Sequence, residues 1–302
     1  MSHDKPKIIV VLGPTACGKT KLAIELANKF NGEIVSADSR QVYKGLDIGT
    51  GKDLGDYNVP YYLIDVADPR RQFNLVKYQK LAFAAIDDIL RRGKLPILVG
   101  GSGLYLQAVV DNFQLADAKR DLALRKKAEE LNAKELFSKL DKLAPKMAAR
   151  LNNSDRNNPR RLVRYLEILG QDKDFKSQTG RGKYEALIIG IDCPREVLKK
   201  KITARLVERL EQQKMIEEVR KLRAGGLGWK RLEDFGLEYK FISLYLRKKL
   251  SYDEMVEKLD IAICQFSKRQ LTWFKRWEKQ GAKIAWLKNK GGAVKMVKKF
   301  IK

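Results

Sequence analysis

Ile8-Ile9-Val10-Val11-Leu12, followed by Gly13-Pro14-Thr15-Ala16-Cys17-Gly18-Lys19-Thr20, is the stretch that decides the fold. The first five residues form a β-branched apolar run that predicts a buried strand, and Lys21 to Phe30 carry helical spacing. Strand, glycine-bracketed loop and helix in that order build a phosphate-binding loop. The glycines let successive backbone N–H groups turn inward, the helix start adds its positive dipole end, Lys19 brings a mobile charge, and the Thr20 hydroxyl can ligate Mg²⁺. All eight residues from Gly13 to Thr20 are therefore candidate phosphate ligands, with Thr20 the candidate metal ligand. The loop demands a diphosphate or triphosphate but does not say whether it ends in a nucleoside.

Outward from this loop, strand-like runs recur at Glu33-Ile34-Val35, Tyr61 to Asp65, Leu95 to Val99 and Ala186 to Ile191, with a helix predicted from Leu75 to Arg92. Alternating strands and helices with continuously apolar strands imply a parallel sheet covered on both faces. Between about Asn112 and Tyr184 no strand is predicted, only charged helical segments at Asp121–Leu131, Ala133–Leu143 and Pro159–Leu169. This stretch, residues 113–184, is expected to be a helical insertion that returns through the polar linker Gly170–Lys183. Further helices are predicted at Arg195–Gln213, Ile216–Arg223, Glu238–Lys249 and about Tyr252–Gln280. The expected fold is α/β, a P-loop NTPase-like core (1–112 and 185–302) with a parallel sheet, a helical insertion domain and a helical C-terminal region.

Composition narrows the partner. The chain of 302 residues carries 62 Lys and Arg against 37 Asp and Glu, a net charge of +25, which suits a polyanion. The excess is concentrated late: residues 199–302 hold 28 basic side chains against 12 acidic ones. In the long final helix Lys268, Thr272, Lys275 and Lys279 fall on one face and Leu259, Ile263 and Phe266 on roughly the other. Cys17, Cys193 and Cys264 are too few and too scattered for a disulfide framework or a paired-cysteine metal site, and a reducing, cytoplasmic setting is expected. No run approaches the ~18 apolar residues of a membrane helix, so no membrane association is expected. The only histidine, His3, stands in an N-terminus expected to fray, which leaves carboxylates, lysines, tyrosines or the ligand as proton acceptors.

Two further segments belong at the same sheet edge as the loop. Ser36-Ala37-Asp38-Ser39-Arg40-Gln41-Val42-Tyr43 follows the second strand, so Asp38 is expected near the phosphates, as a water-mediated Mg²⁺ ligand, as a base, or simply as a helix cap. Gly100-Gly101-Ser102-Gly103-Leu104-Tyr105 supplies tight turns and backbone donors after the third clear strand. With these in hand, the chain resembles the tRNA dimethylallyltransferase family, also called tRNA isopentenyltransferases. The resemblance runs through Gly13–Thr20, Ser36–Gly49, Leu63-Ile64-Asp65 with Asp68-Pro69, Val99–Tyr105, Asn158–Glu167, Asp192–Arg195 and Lys268–Lys275. The chain departs from the family pattern at Tyr61-Tyr62, where a His is usual, and at Leu237-Glu238-Tyr239-Lys240, where Ile-Gly-Tyr-Lys is usual.

The resemblance implies transfer of a dimethylallyl group from its diphosphate to N6 of the adenine 3′ to the tRNA anticodon. Asp38 is then the candidate base, with Thr15 at the bridging region, Arg205 on the diphosphate and Mg²⁺ as cofactor. Asp38, Ser39, Arg40 and Gln41 would meet the base, and Ser102 and Arg125 would add contacts. Arg160, Arg161 and Arg164 in the insertion, with Lys268, Arg269, Gln270, Thr272, Trp273 and Lys275 in the long helix, would grip the anticodon arm of tRNA. Trp273 has two readings, a stacking platform or a core tryptophan. The expected protein is a monomer. The competing reading is a P-loop small-molecule kinase with Asp65 as a second Mg²⁺ carboxylate, and a non-catalytic RNA-binding module is a third.

Overall fold

The structure, a computed structural model, describes residues 5–172, 178–180, 182–288 and 291–302. His3 and part of the expected linker Gly170–Lys183 lie outside them. Two compact units result: one is Phe113–Gly180, and the other holds the residues before it and those from Gly182 onward.

The larger unit begins with β1 (Lys7–Leu12), α1 (Lys19–Lys29), β2 (Gly32–Ser36), β3 (Tyr61–Tyr62), α2 (Leu75–Arg91), β4 (Leu95–Gly100) and α3 (Gly103–Val110). Ile8 to Leu12 are completely buried, as a central strand covered on both faces requires. Each such side chain contributes on the order of 1.5–3 kcal/mol of burial.

The smaller unit carries β5 (Phe113–Gln114), α4 (Leu122–Ala128), α5 (Ala133–Leu143), α6 (Pro145–Ala148), α7 (Asn153–Arg156), α8 (Pro159–Gln171) and β6 (Gln178–Thr179). Its core is a cluster of Leu136, Leu140, Leu162, Val163 and Leu166. Asn132 and Glu135 form a reciprocal cap that fixes the start of α5. The strand-free expectation for this stretch is corrected by β5 and β6, which pair antiparallel through Phe113 with Thr179 and Gln114 with Gln178. Two residues a side are too short to leave an alternation pattern in the sequence.

The chain then completes the larger unit with β7 (Glu185–Ile191), α9 (Arg195–Glu211), α10 (Met215–Ala224), α11 (Trp229–Phe235), α12 (Leu237–Leu246), α13 (Tyr252–Lys279), β8 (Ile284–Leu287) and α14 (Gly292–Ile301). The six strands are ordered β3-β2-β4-β1-β7-β8, and every pairing is parallel. β3 stops at Tyr62 because Leu63 and Asp65 take positive φ, so the expected strand to Asp65 is shortened. α13 starts in a capping box between Ser251 and Glu254 and buries Leu259, Ile263, Phe274 and Trp277. In a sheet of this kind ligands collect beyond the carboxyl ends of the strands. The loops after β1, β2 and β4 all emerge at that edge.

Candidate active site

The phosphate loop leaves β1 and enters α1 through Gly18, whose φ of 82° is open to glycine at no steric cost. Lys19 folds back so that its Nζ donates to the Pro14 carbonyl at 3.3 Å. The Thr15 N–H donates to Gln270 Oε1 at 2.8 Å, and Gln270 Nε2 donates to the Gly101 carbonyl at 2.9 Å. Gln270, expected to touch RNA, is thus buried with both ends of its amide spent, joining α13 to the phosphate loop and the glycine turn. The Arg205 guanidinium donates to Thr15 Oγ1. Burial, then the charge of Arg209, lowers the Arg205 pKa to about 10.

Asp38 follows β2 in a turn that fixes one of its oxygens. Oδ1 accepts from the backbone N–H of Arg40 at 2.9 Å and of Gln41 at 3.3 Å. Oδ2 has no protein hydrogen-bond partner among the described residues. The turn itself is pinned to the β4 edge: the Ser39 N–H donates to Ser102 Oγ at 3.1 Å and the Ala37 N–H to the Val99 carbonyl at 2.7 Å. Gln41 is held from three sides. Its Oε1 accepts from Ser36 Oγ at 3.1 Å, its Nε2 donates to the Gly51 carbonyl at 2.9 Å, and its carbonyl accepts from the Asp65 N–H at 3.1 Å.

Two buried charges clamp the loop that runs from Tyr43 to Asp53. Lys52, only 1% exposed, donates to the Tyr43 carbonyl at 2.8 Å, to Asp47 at 2.6 Å and to Asp65 at 2.5 Å. Glu218 of α10 accepts from the N–H groups of Asp47, Ile48 and Gly49 at 3.0, 2.6 and 3.1 Å, and from the Tyr239 hydroxyl at 2.7 Å. Asp65 gives its Oδ1 to Lys52 in this clamp and is not part of the cavity wall that holds Lys19 and Thr20, where the kinase reading needs a second metal carboxylate.

The phosphate loop, the Asp38 turn and the clamped loop at Gly49–Gly51 line one cavity of about 760 Å³, whose wall includes Thr15, Lys19, Thr20, Asp38, Arg205 and Trp273. Trp273 is half-buried, donating to Gln107 Oε1 at 3.2 Å with the Arg276 guanidinium 4.0 Å from its ring centroid, so it is both a packed side chain and part of the wall. Arg269 lines the cavity too, while Lys268, Thr272 and Lys275 stand on the outer face of α13, both lysines exposed. Cys17 is buried inside the loop. Tyr57 sits beside Thr20, and burial pushes its phenol up to about 12.

In the smaller unit the four arginines expected at RNA divide into two kinds. Arg125 and Arg164 both turn to the buried Glu167, at 2.6 and 3.3 Å; the Arg125 pair joins α4 to α8, while Arg164, on α8 itself, also donates to the Ala118 carbonyl at 2.8 Å. Arg160 and Arg161 are exposed, the latter paired with Asp155. Arg209, Lys52, Glu218 and Asp53 carry no motif that marks them in the sequence. The spacing of Lys201, Arg205 and Arg209, one helical turn apart, is the signal that places three cations on one face of α9.

Comparison with known proteins gives this geometry its context. The family model described as IPP transferase matches residues 41–277, and one described as isopentenyl transferase matches residues 6–57. The chain is 44% identical over 288 residues to tRNA dimethylallyltransferase 1 of Syntrophus aciditrophicus, covering 93% of each chain. It is 46% identical over 286 residues to tRNA dimethylallyltransferase 2 of Shewanella sediminis, covering 94% of each. The chain belongs to the tRNA dimethylallyltransferase family. Among solved structures it is similar to the full-length tRNA isopentenylpyrophosphate transferase of Bacillus halodurans, with a TM-score of 0.71, 34% identity and coverage of 98% and 96%. A eukaryotic dimethylallyltransferase acting on tRNA gives a TM-score of 0.79 at 25% identity, over 98% of this chain and 78% of that one. Within this tRNA dimethylallyltransferase fold the two sequence departures have defined places. Tyr62 donates to Glu33 at 2.8 Å on the sheet edge, away from the loops. Glu238 lines the cavity and pairs with Arg40 at 3.7 Å.

Proposed function

We propose that this chain transfers a dimethylallyl group from dimethylallyl diphosphate to N6 of the adenine 3′ to the anticodon in tRNA. The observation that carries the reading is Asp38. One of its oxygens is locked by two backbone N–H groups, the other is unspent, and the residue shares a cavity with Thr15, Ala16, Gly18, Lys19 and Thr20 of the phosphate loop.

The exocyclic amine of adenine is a weak nucleophile, because its lone pair is delocalised into the ring. As its nitrogen bonds to the allylic carbon, Asp38 takes up the N6 proton, a contribution of typically 10²–10⁴-fold. The carbon–oxygen bond to the diphosphate breaks and negative charge builds on the leaving group. Loop N–H groups, Lys19 and Arg205, the last bonded to Thr15, would stabilise it. Among the described residues no cluster of three His, Cys, Asp or Glu could hold a metal by itself. The Thr20 hydroxyl with diphosphate oxygens and water is the hard-oxygen set that Mg²⁺ accepts, and the ion would neutralise leaving-group charge there.

A base stacked in an anticodon loop must be extruded to reach such a cavity. Ser39, Arg40, Gln41 and Ser102 border its path, while Lys268, Arg269, Thr272 and Lys275 of α13 offer cations and a hydroxyl to the RNA backbone. In the smaller unit Arg160 and Arg161 present exposed guanidiniums for the same purpose, and Arg125 and Arg164 shape that surface through Glu167. Among the described residues no helix is long and apolar enough to cross a membrane.

The test is incubation with unmodified tRNA, radiolabelled dimethylallyl diphosphate and Mg²⁺, followed by nucleoside analysis. Label in N6-modified adenosine at that one position is expected. Phosphorylation of a small molecule without tRNA, or a requirement for ATP hydrolysis, would replace this reading with the kinase one.

A further inference from the structure

Arg209 of α9 is a buried cation whose outer nitrogen lacks an acceptor. The residue is 4% exposed, and its Nη2 has no hydrogen-bond partner among the described residues. Its ion-pair partner is Asp53, 3.9 Å away, beyond hydrogen-bond range and itself half in water. The guanidinium lies against Gly51, where an added Cβ would come within 2.1 Å of Nη2, so the wall has been left bare to admit it. One turn earlier on the same helix face stands Arg205, and both line the cavity that holds Lys19 and Thr20. Both side chains are guanidinium cations with donors only and no acceptor. Two cations therefore line one cavity side by side, and the pKa of Arg205 is lowered first by burial and then by Arg209. A buried cation whose outer nitrogen has no acceptor, and whose one long ion pair reaches a half-exposed carboxylate, is unfavourable, and the remedy this wall offers is an anion from outside.

We propose that Arg209 is a ligand of the donor's diphosphate, forming with Arg205 a two-guanidinium clamp opposite the phosphate-loop N–H groups. This rests on the reading that the donor occupies that loop. It adds a consequence for the protein without donor: the cavity stores the repulsion of the two arginines, and the diphosphate relieves it.

The two possible roles of Arg209 predict opposite signs. An arginine that holds the fold together stabilises the ligand-free protein, whereas one kept for an incoming anion does not. Thermal unfolding of wild type, Arg209→Met and Arg209→Lys, with and without inorganic diphosphate and Mg²⁺, separates them, with calorimetric titration of diphosphate in parallel. For Arg209→Met the ligand-free midpoint should be equal to or above that of wild type. The diphosphate-induced rise should shrink and affinity fall about tenfold or more, the loss of one charged hydrogen-bonding partner. Arg209→Lys should be intermediate, and tRNA affinity should not change in either variant. Wild-type diphosphate affinity in Arg209→Met, with loss in Lys19→Ala, would overturn the clamp and leave the donor reading intact. No diphosphate binding by wild type itself would overturn both.

Discussion

At the scale of single residues, the site is organised by how completely each side chain is already spent. Asp38 keeps one oxygen free, and that freedom is what a base needs. Asp38→Asn, nearly isosteric and able to retain the turn through its amide oxygen, should lose at least about a hundredfold in turnover with tRNA affinity close to wild type. Single-turnover rates beside filter-binding titrations check this, and near-normal turnover would remove Asp38 from the chemistry. Gln270 is the contrasting case. Its residue type and helix position suggest RNA, yet burial and two hydrogen bonds make it a bolt between α13 and the phosphate loop. Gln270→Ala should therefore act mainly on the donor side, raising the KM for dimethylallyl diphosphate more than the Kd for tRNA, and steady-state kinetics with each substrate varied in turn would show the reverse if it touched RNA.

At the scale of elements, the loop from Tyr43 to Asp53 is held by charge rather than by secondary structure. It contains no strand, and its backbone N–H groups find Glu218 while its end is anchored by Lys52. Lys52→Met removes a buried cation from two carboxylates that are 55% and 35% exposed, so water recovers much of the interaction. We expect destabilisation of about 1–3 kcal/mol, short of the ~3–5 kcal/mol of a fully buried pair, read from the urea midpoint at constant m. Turnover should fall further than stability predicts, because Gly51 and Asp65 hold Gln41, and a Lys52→Met variant with unaltered kcat would show that the clamp serves the fold alone. Helix α13 carries its own test. Replacing Lys268, Arg269 and Lys275 by Ala should flatten the slope of log affinity for tRNA against log salt by up to about one unit for every phosphate that is no longer neutralised. An unchanged slope would mean that this face is only solvated.

At the scale of the whole molecule, a charge of +25 makes binding to a polyanion steeply salt-dependent, and it also makes the few buried carboxylates decisive for stability. Glu33 is 1% exposed and bonded to Arg92, Lys94 and Tyr62, and the Arg92 guanidinium foremost holds its pKa down to about 2. A carboxylate whose pKa is lowered on folding contributes stability that is present above the unfolded value near 4.3 and lost as pH falls toward the folded value. Acid unfolding followed by circular dichroism should therefore steepen below about pH 4.3, and Glu33→Gln should be less stable at neutral pH with a flatter profile from about pH 4.3 down to about 2. An identical profile in that variant would move the acid sensitivity elsewhere.

The strand, phosphate loop and helix from Ile8 to Phe30, the parallel α/β order and the amphipathic α13 are legible in the residue order, because local rules govern them: continuous apolar runs for buried strands, a repeat of about 3.6 for helices, and glycine where N–H groups must converge on phosphate. Asp38 is legible too, since a residue just past a parallel strand has only one edge of the sheet to occupy. The two-residue pair β5 and β6, the edge strand β8 and the early end of β3 are not, since short pairings are decided by what lies beside them. Nor is the unpartnered nitrogen of Arg209, the double clamp on the Tyr43–Asp53 loop, or the separation of Gln270 from its outward-facing neighbours Lys268 and Thr272. Each of these joins residues far apart in the chain, as Glu218 meets Gly49 and Gln270 meets Thr15. Composition can supply the partners of such a pairing, but only packing in three dimensions decides which charges are matched, which polar atoms are spent, and which are left for a ligand.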